Sequence, residues 1–390
     1  SVRQVQRQLQ AELGAGPLAI ARAQRAQTAR LLIEATTLSM ADVAFAAGFA
    51  SVRAFNDTVR EVFALSPTEL RLRVPKGKSG PASGANHDGT ATGNPMTLSV
   101  RLPFRTPLCP DNLFGHLVAT GIPGVEEWRH GAYRRTVRLA HGPAVIALRP
   151  APDRIDCHLA LSDLRDLSPA ISRCRWLLDL DADPVAVDEL LSVDPALAPL
   201  VAKNPGRRVP RSVDSAEFAI RAVLGQQVST AAARTHAGRL VAEHGERITD
   251  AGGGLTHLFP EPAAIAALNP ETLAMPKARR RTLLGLATAL AADELDLGAG
   301  SDWQHAREQL STLPGVGPWT VETIAMRALG DPDAFAPTDL GIRAAAGGLG
   351  LPGGAGLIAH AEAWRPWRAY ATQYLWAAGD HAINRLPLTD

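Results

Sequence analysis

The octapeptide Leu313-Pro314-Gly315-Val316-Gly317-Pro318-Trp319-Thr320 holds the strongest chemical signal in this 390-residue chain. Two glycines one residue apart let a backbone turn tightly and come close to a ligand. The flanking residues predict helices over about 302–310 and 320–328. The second helix would offer unpaired N–H groups and the positive end of its dipole, which suits phosphate. The turn contains no Lys or Arg. A phosphate there would be held by main-chain amides, a mode that reads the nucleic-acid backbone rather than its sequence. A plain helix–helix turn is the other reading of the same residues. Further on, Phe335-Ala336-Pro337-Thr338-Asp339-Leu340-Gly341-Ile342-Arg343 sets one carboxylate at the start of another helix. Taken alone, Asp339 is equally a helix N-cap.

Other residue types narrow the classes. Cys109, Cys157 and Cys174 are too few for a disulfide scaffold, an all-cysteine zinc site or a four-cysteine iron–sulfur cluster within this chain. Forty Lys and Arg against 39 Asp and Glu give a net charge of +1, so any nucleic-acid face must be local. Hydrophobic residues at 46% and charged residues at 20% fit a packed protein. No apolar run approaches the ~20 residues of a membrane span. The first residues lack a basic-then-apolar signal pattern. A cytoplasmic location and no membrane partner are expected.

The elements that must position these residues fall into four stretches. Residues 1–74 are expected to be helical, with Ala-rich runs such as ARAQRAQTARLLIEA. This stretch repeats itself at an offset of 50, pairing Val5 with Phe55, Leu9 with Val59 and Leu13 with Phe63. Residues 75–95, PKGKSGPASGANHDGTATGNP, read as a flexible linker. Residues 96–177 contain strand-like segments MTLSVRL, YRRTVRLA and AVIALRP, and a helix candidate over 112–120. They are expected to form a small α/β unit with an antiparallel sheet. Residues 178–390 are expected to be all helical, in two lobes with a cleft. The fold class is thus multidomain and mainly α.

Within the first stretch, MADVAFAAGFASVRAFNDTVREVFALSPTELR predicts a helix over 40–47 closed by Gly48 and a second helix capped by Ser51. The second would carry Arg53, Asn56 and Arg60 on its exposed side. Helix–turn–helix with a polar recognition face is the arrangement that enters a major groove. The local net charge over 1–78 is +5. Through Ala44, Gly48, Phe49, Phe55, Phe63 and Pro67 this region resembles the DNA-binding domain of AraC-type regulators, over residue 1 to about 73. The resemblance implies promoter DNA as a partner, met by Arg3, Arg53, Asn56 and Arg60. The chain begins at the first recognition helix, and the helix expected before it is not in the sequence. A truncated piece of a longer protein is therefore expected.

The hairpin followed by Asp339 resembles the helix–hairpin–helix DNA glycosylases. Val223-Leu224-Gly225-Gln226-Gln227-Val228-Ser229 resembles their DNA-penetrating segment. Trp364-Arg365-Pro366-Trp367-Arg368-Ala369-Tyr370 and Trp376 resemble the last helix of the bacterial 3-methyladenine DNA glycosylase II (AlkA-type) family. The resemblance spans about 96–390. An AraC-type domain before it resembles the Ada–AlkA-type fusions of the alkylation response. Their methyl-accepting zinc domain would lie upstream.

The resemblance implies a monofunctional glycosylase acting on double-stranded DNA with alkylated bases of the 3-methyladenine type. Gln227 would fill the gap left by the flipped base. Asp339 would be catalytic, either polarising a water or stabilising the sugar cation. Trp319 stands where bifunctional relatives carry a Schiff-base lysine, so no imine and no strand cleavage are expected. Trp376 and Trp319 would offer ring faces to a cationic base. Thr323 and Leu340 stand where Tyr residues do in the family, and His116 where a Phe does, so the range of bases is in question. The amides of Gly315, Gly317 and Thr320, with the Thr320 hydroxyl, would face phosphate. Carbonyls of Ser311, Leu313 and Val316 would hold a monovalent cation; no other cofactor is implied. The basic clusters 203–211 and 277–281 are candidates for flanking phosphates or for plain solvated surface. A monomer is the family default. The competing enzyme reading is a mismatch or oxidised-base glycosylase of the same superfamily. The competing class is a transcription regulator whose glycosylase-like part only senses damage.

Overall fold

The computed structural model describes residues 2–73, 95–379 and 381–387. Apart from Pro95, the stretch expected to be a linker lies outside the described residues. Contacts divide the chain into two units: 1–102, 138–144 and 156–172 in the first, 103–137, 145–155 and 173–390 in the second.

The first unit begins with five helices, α1 (Val2–Leu13), α2 (Pro17–Ala35), α3 (Met40–Ala46), α4 (Val52–Phe63) and α5 (Pro67–Leu72). α2 buries Ala26, Ala29, Leu32 and Ile33 at helical spacing, and α3, α4 and α5 pack on it. Polar side chains set the helix starts. Ser39 Oγ accepts from the Asp42 amide at 3.1 Å and Ser51 Oγ from the Ala54 amide at 3.2 Å. Ser66 and Glu69 close a reciprocal capping box. Gly48, at φ +80, ends α3 in the left-handed conformation that favours glycine. On α4, Phe55 and Val59 are sealed while Arg53 and Arg60 are exposed and Asn56 is half-buried. The offset-50 repeat is one of helix and pattern rather than burial, since Leu13 on α1 is 63% exposed.

The five strands are β1 (Met96–Pro103), β2 (Glu126–Arg129), β3 (Ala132–Leu139), β4 (Gly142–Pro150) and β5 (Arg154–Leu161), in the order β1-β5-β4-β3-β2. β2 and β3 pair antiparallel with Glu126 opposite Arg135 and Trp128 opposite Tyr133. The segments read as strands from the sequence are β1, β3 and β4. β2 is four polar-rich residues without alternation, so no period announces it. The helix α6 (Pro110–Ala119) packs on β2.

From residue 173 on, the second unit is helical. The elements that position the site are α7 (Ser215–Leu224), α8 (Thr230–His244), α9 (Lys277–Ala291), α10 (Trp303–Thr312), α11 (Pro318–Ile324), α12 (Leu340–Gly348) and α13 (Arg368–Ala377). Their buried apolar residues share one core, including Ile220 and Val223 of α7, Leu283 and Leu286 of α9, Ile324 of α11 and Tyr374 of α13. α7 packs on both α9 and α11, which brings the turn after α7 to the hairpin between α10 and α11. Among the described residues no helix is long and apolar enough to cross a membrane.

Candidate active site

Asp339 is the N-cap of α12, and its carboxylate is held from three sides. Oδ1 accepts from the Ile342 amide at 3.0 Å and from the Trp376 indole N–H at 2.9 Å. Oδ2 accepts from the Trp319 indole N–H at 2.9 Å. The two sequence readings of Asp339, helix cap and reactive carboxylate, therefore coincide in one side chain. The geometry depends on Gly341. A Cβ there would stand 2.9 Å from Trp376 Cδ1 and 3.1 Å from Asp339 Oδ1.

A cavity of about 870 Å³ opens beside this carboxylate. Asp339, Trp319, Trp376, Thr323, Leu340 and His116 all line it. Both indoles are half-buried, with their N–H groups committed to Asp339. The Thr323 hydroxyl donates to the Trp319 carbonyl at 2.7 Å, within its own helix. Leu340 is 79% exposed, an unusual place for a large apolar side chain unless a partner covers it. Burial, with Arg327, Arg221 and His381 nearby, pushes the His116 imidazole well below its ordinary pKa.

The hairpin between α10 and α11 is pinned by Thr282 of α9, whose hydroxyl donates to the Pro314 carbonyl at 2.9 Å. Gly315 has φ +85, and a Cβ there would meet Thr282 Oγ1 at 2.0 Å. A Cβ at Gly317, in contrast, would meet nothing within 4 Å. Thr320 is buried, and its hydroxyl accepts from Gln226 Nε2 at 3.0 Å. As acceptor in this bond, the hydroxyl keeps its own proton free to donate. Leu313 O accepts from the Val316 amide at 3.1 Å, and Ser311 Oγ donates to the Arg307 carbonyl at 2.7 Å.

Gln227 sits on the turn after α7, exposed and at φ +55. Its neighbour Gln226 fastens that turn to the hairpin, donating to Gly315 O at 3.0 Å as well as to Thr320. Arg279 Nη2 donates to the Gln226 carbonyl at 2.6 Å. Sequence reasoning missed Gln226, because nothing local distinguishes it from Gln227.

It also missed the charged network lining one side of the cavity. Arg135 Nη2 pairs with Glu217 at 2.7 Å, and Arg221 Nη1 with Glu126 at 3.0 Å and Glu217 at 2.9 Å. Tyr133 donates to Glu126, and Arg221 Nη2 to the Thr120 carbonyl at 2.9 Å. Arg327, 3% exposed, lines the cavity as well. The arginines of the basic cluster 203–211 turn inward, while Lys203 stays exposed. Arg208 is fully buried and donates to the carbonyls of Ala182 and Arg105, and Arg211 pairs with Asp179 at 2.8 Å. Burial, rather than exhausted donors, keeps Arg207 and Arg208 from a phosphate, since both are 3% exposed or less. In the second cluster Arg280 pairs with Glu271, while Lys277 and Arg281 remain exposed.

The chain matches a helix-turn-helix domain over residues 1–73 and the AlkA N-terminal domain over residues 99–214. It is 56% identical to the Mycobacterium tuberculosis protein named "Probable bifunctional transcriptional activator/DNA repair enzyme AlkA", over 99% of this chain and 76% of that protein. It is 33% identical to the DNA-3-methyladenine glycosylase 2 of Escherichia coli, over 68% of this chain and 92% of that protein. The 3-methyladenine DNA glycosylase of Archaeoglobus fulgidus superposes with a TM-score of 0.62 at 21% identity, covering 71% of this chain and 97% of that one. An 8-oxoguanine glycosylase/lyase of Clostridium acetobutylicum, in complex with DNA, gives 0.57 at 17% identity, covering 72% and 93%. These last two likenesses concern the fold.

Proposed function

The chain belongs to the DNA glycosylases of the AlkA type fused to an AraC-type helix-turn-helix domain, and from that premise we propose that it releases alkylated bases from duplex DNA without cutting the strand. The single observation that carries the chemistry is the Asp339 carboxylate, fixed by two indole N–H groups on the wall of a base-sized cavity.

The steps follow from the residues present. A damaged nucleotide rotates out of the stack, and the exposed Gln227 enters the space it leaves. The base occupies the cavity, and Leu340 at its rim is covered. The carboxylate lies where positive charge grows on the sugar as the glycosidic bond breaks, or where it polarises the incoming water. A cationic alkylated purine leaves readily, so one carboxylate suffices. Among the described residues no lysine lines the cavity, which supports hydrolysis rather than an imine.

Main-chain amides of Gly315, Gly317 and Thr320 would face the DNA backbone. The carbonyls of Ser311, Leu313 and Val316 come from one turn. Leu313 O keeps a second lone pair beyond its hydrogen bond, so the set is chemically able to hold a monovalent cation beside the phosphate. The N-terminal domain, through Arg3, Arg53, Asn56 and Arg60, would bind promoter DNA and regulate the response to alkylation.

The test is base release from methylated duplex DNA by this chain and its Asp339→Asn variant. Asparagine preserves the N-cap but removes the charge, and one indole N–H then faces an amide donor. Release of 3-methyladenine by the parent and its loss in the variant are expected. Binding of damaged DNA without release by either would overturn the enzyme reading in favour of a damage-sensing regulator.

A further inference from the structure

One guanidinium in this cavity has no part in the chemistry so far. Arg327 sits on the π-helical turn Ala325–Leu329 that continues α11. Its Nη1 donates to the Pro210 carbonyl at 2.7 Å, and its Cζ lies 5.4 Å from the centre of the Trp376 ring. Among the described residues no carboxylate comes within ion-pair distance of it. Burial and the charge of Arg221 weaken its hold on its proton, and Asp339 opposes them. A guanidinium nonetheless stays charged at neutral pH.

The other charges around the cavity are paired, apart from Arg234, which is exposed at its rim and donates from Nε to the Gly121 carbonyl at 2.7 Å. Arg135 and Arg221 are matched by Glu126 and Glu217, and Arg211 by Asp179. His116 feels the charges of Arg327, Arg221 and His381, and burial holds it in its neutral form. What remains is one carboxylate, Asp339, against the buried guanidinium of Arg327 and the rim guanidinium of Arg234. A pocket with no surplus of negative charge gives no net attraction to a base that already carries a positive charge. It does offer a desolvated donor to a neutral base with a carbonyl oxygen, where such contacts are stronger than in water. When the C1′–N bond of that base breaks, the electron pair stays on the base and its negative charge spreads to the carbonyl oxygen. Water supplies hydroxide to C1′ and its proton passes to the base through solvent. Arg327 keeps its own proton throughout.

We propose that Arg327 is a specificity-determining residue that tilts the cavity toward neutral bases bearing an acceptor oxygen and away from cationic bases. The inference rests on the glycosylase reading of Asp339. It is tested on duplexes holding a single hypoxanthine, which is neutral, or a single N7-methylguanine, which is cationic. The full chain and its Arg327→Met and Arg327→Lys variants are compared in single-turnover release. The Met variant is expected to release hypoxanthine at least about tenfold more slowly, with N7-methylguanine release changed by less than about threefold or raised. The Lys variant keeps the charge and is expected to restore most of the ratio. Equal losses on both bases in the Met variant would overturn the inference and leave Arg327 a structural support. Should the Met variant fail to fold, the parent decides: a greater enhancement over spontaneous release for the cationic base than for hypoxanthine overturns the inference. Release of neither base by a parent that still frees 3-methyladenine from methylated duplex overturns this inference alone, and failure on all three bases overturns the glycosylase reading with it. Release with an unchanged ratio overturns this inference alone.

Discussion

Asp339 receives two indole N–H bonds because a lone carboxylate on a helix start would otherwise swing with its own χ angles. Trp319 and Trp376 hold it from two sides, and each bond to a charged acceptor is worth about 1.5–3 kcal/mol. Trp376→Phe keeps the ring and removes one donor. Single-turnover base release should fall about 10- to 100-fold, with little change in DNA affinity. A fall in affinity alone would show that Trp376 stacks on the base without steering Asp339. His116 gives a second prediction at this scale. Its pKa is depressed in the folded protein from an ordinary 6.5. Below that pH the unfolded chain takes up a proton that the folded chain refuses, so stability falls as the pH falls through 6.5. Thermal melts at pH 5.5 and 7.5 should show a larger loss for the parent than for His116→Gln; an equal loss would mean that folded His116 is protonated normally. Asp339 and both tryptophans could be found through the resemblance to family motifs in which each sits. Arg327, Arg221 and Gln226 could not, since their importance arises when α7, α11 and the 325–329 turn meet in space.

At the scale of elements, the hairpin's two glycines do different work, although both read the same way in the sequence. Gly315 combines φ +85 with Thr282 Oγ1 at 2.0 Å from any added Cβ. Gly315→Ala should therefore shift the hairpin, costing more than about 1 kcal/mol of stability as well as DNA affinity. Gly317 has an ordinary negative φ of −95 and open space in front. Gly317→Ala should leave the melting temperature unchanged and still weaken DNA binding, because its methyl group stands where phosphate would approach. If Gly317→Ala binds DNA as the parent does, the amides of this turn do not meet the backbone. The end of α3 and the start of α4 were legible from Gly48 and Ser51 because left-handed turns and caps are local events. β2 was not, because a four-residue strand of mostly charged side chains is defined by its pairing with β3.

Over the whole molecule the charge is nearly balanced, and DNA attraction must come from local faces. Part of the positive charge of the N-terminal domain is already engaged: Arg22 pairs with Glu61 and Arg30 with Glu34 at the surface, and Arg71 donates to the Leu38 carbonyl. Arg53 and Arg60 on α4 remain exposed. Each phosphate neutralised by such a side chain releases a counterion and adds about 0.9 to the slope of log affinity against log salt. If both meet phosphate, the Arg53→Ala/Arg60→Ala double variant of the full chain should bind undamaged duplex more weakly, with a slope shallower by about 1.8. Asp339→Asn should leave that slope where it is, since it removes a negative charge from inside the cavity rather than a phosphate contact. A salt titration of the parent and both variants on one undamaged duplex makes the comparison. An unchanged slope in the double variant would show that neither Arg53 nor Arg60 meets phosphate, which is incompatible with a recognition helix that grips the DNA backbone through them. The electrostatic grip would then come from other exposed basic side chains, among them Arg3, Lys277 and Arg281.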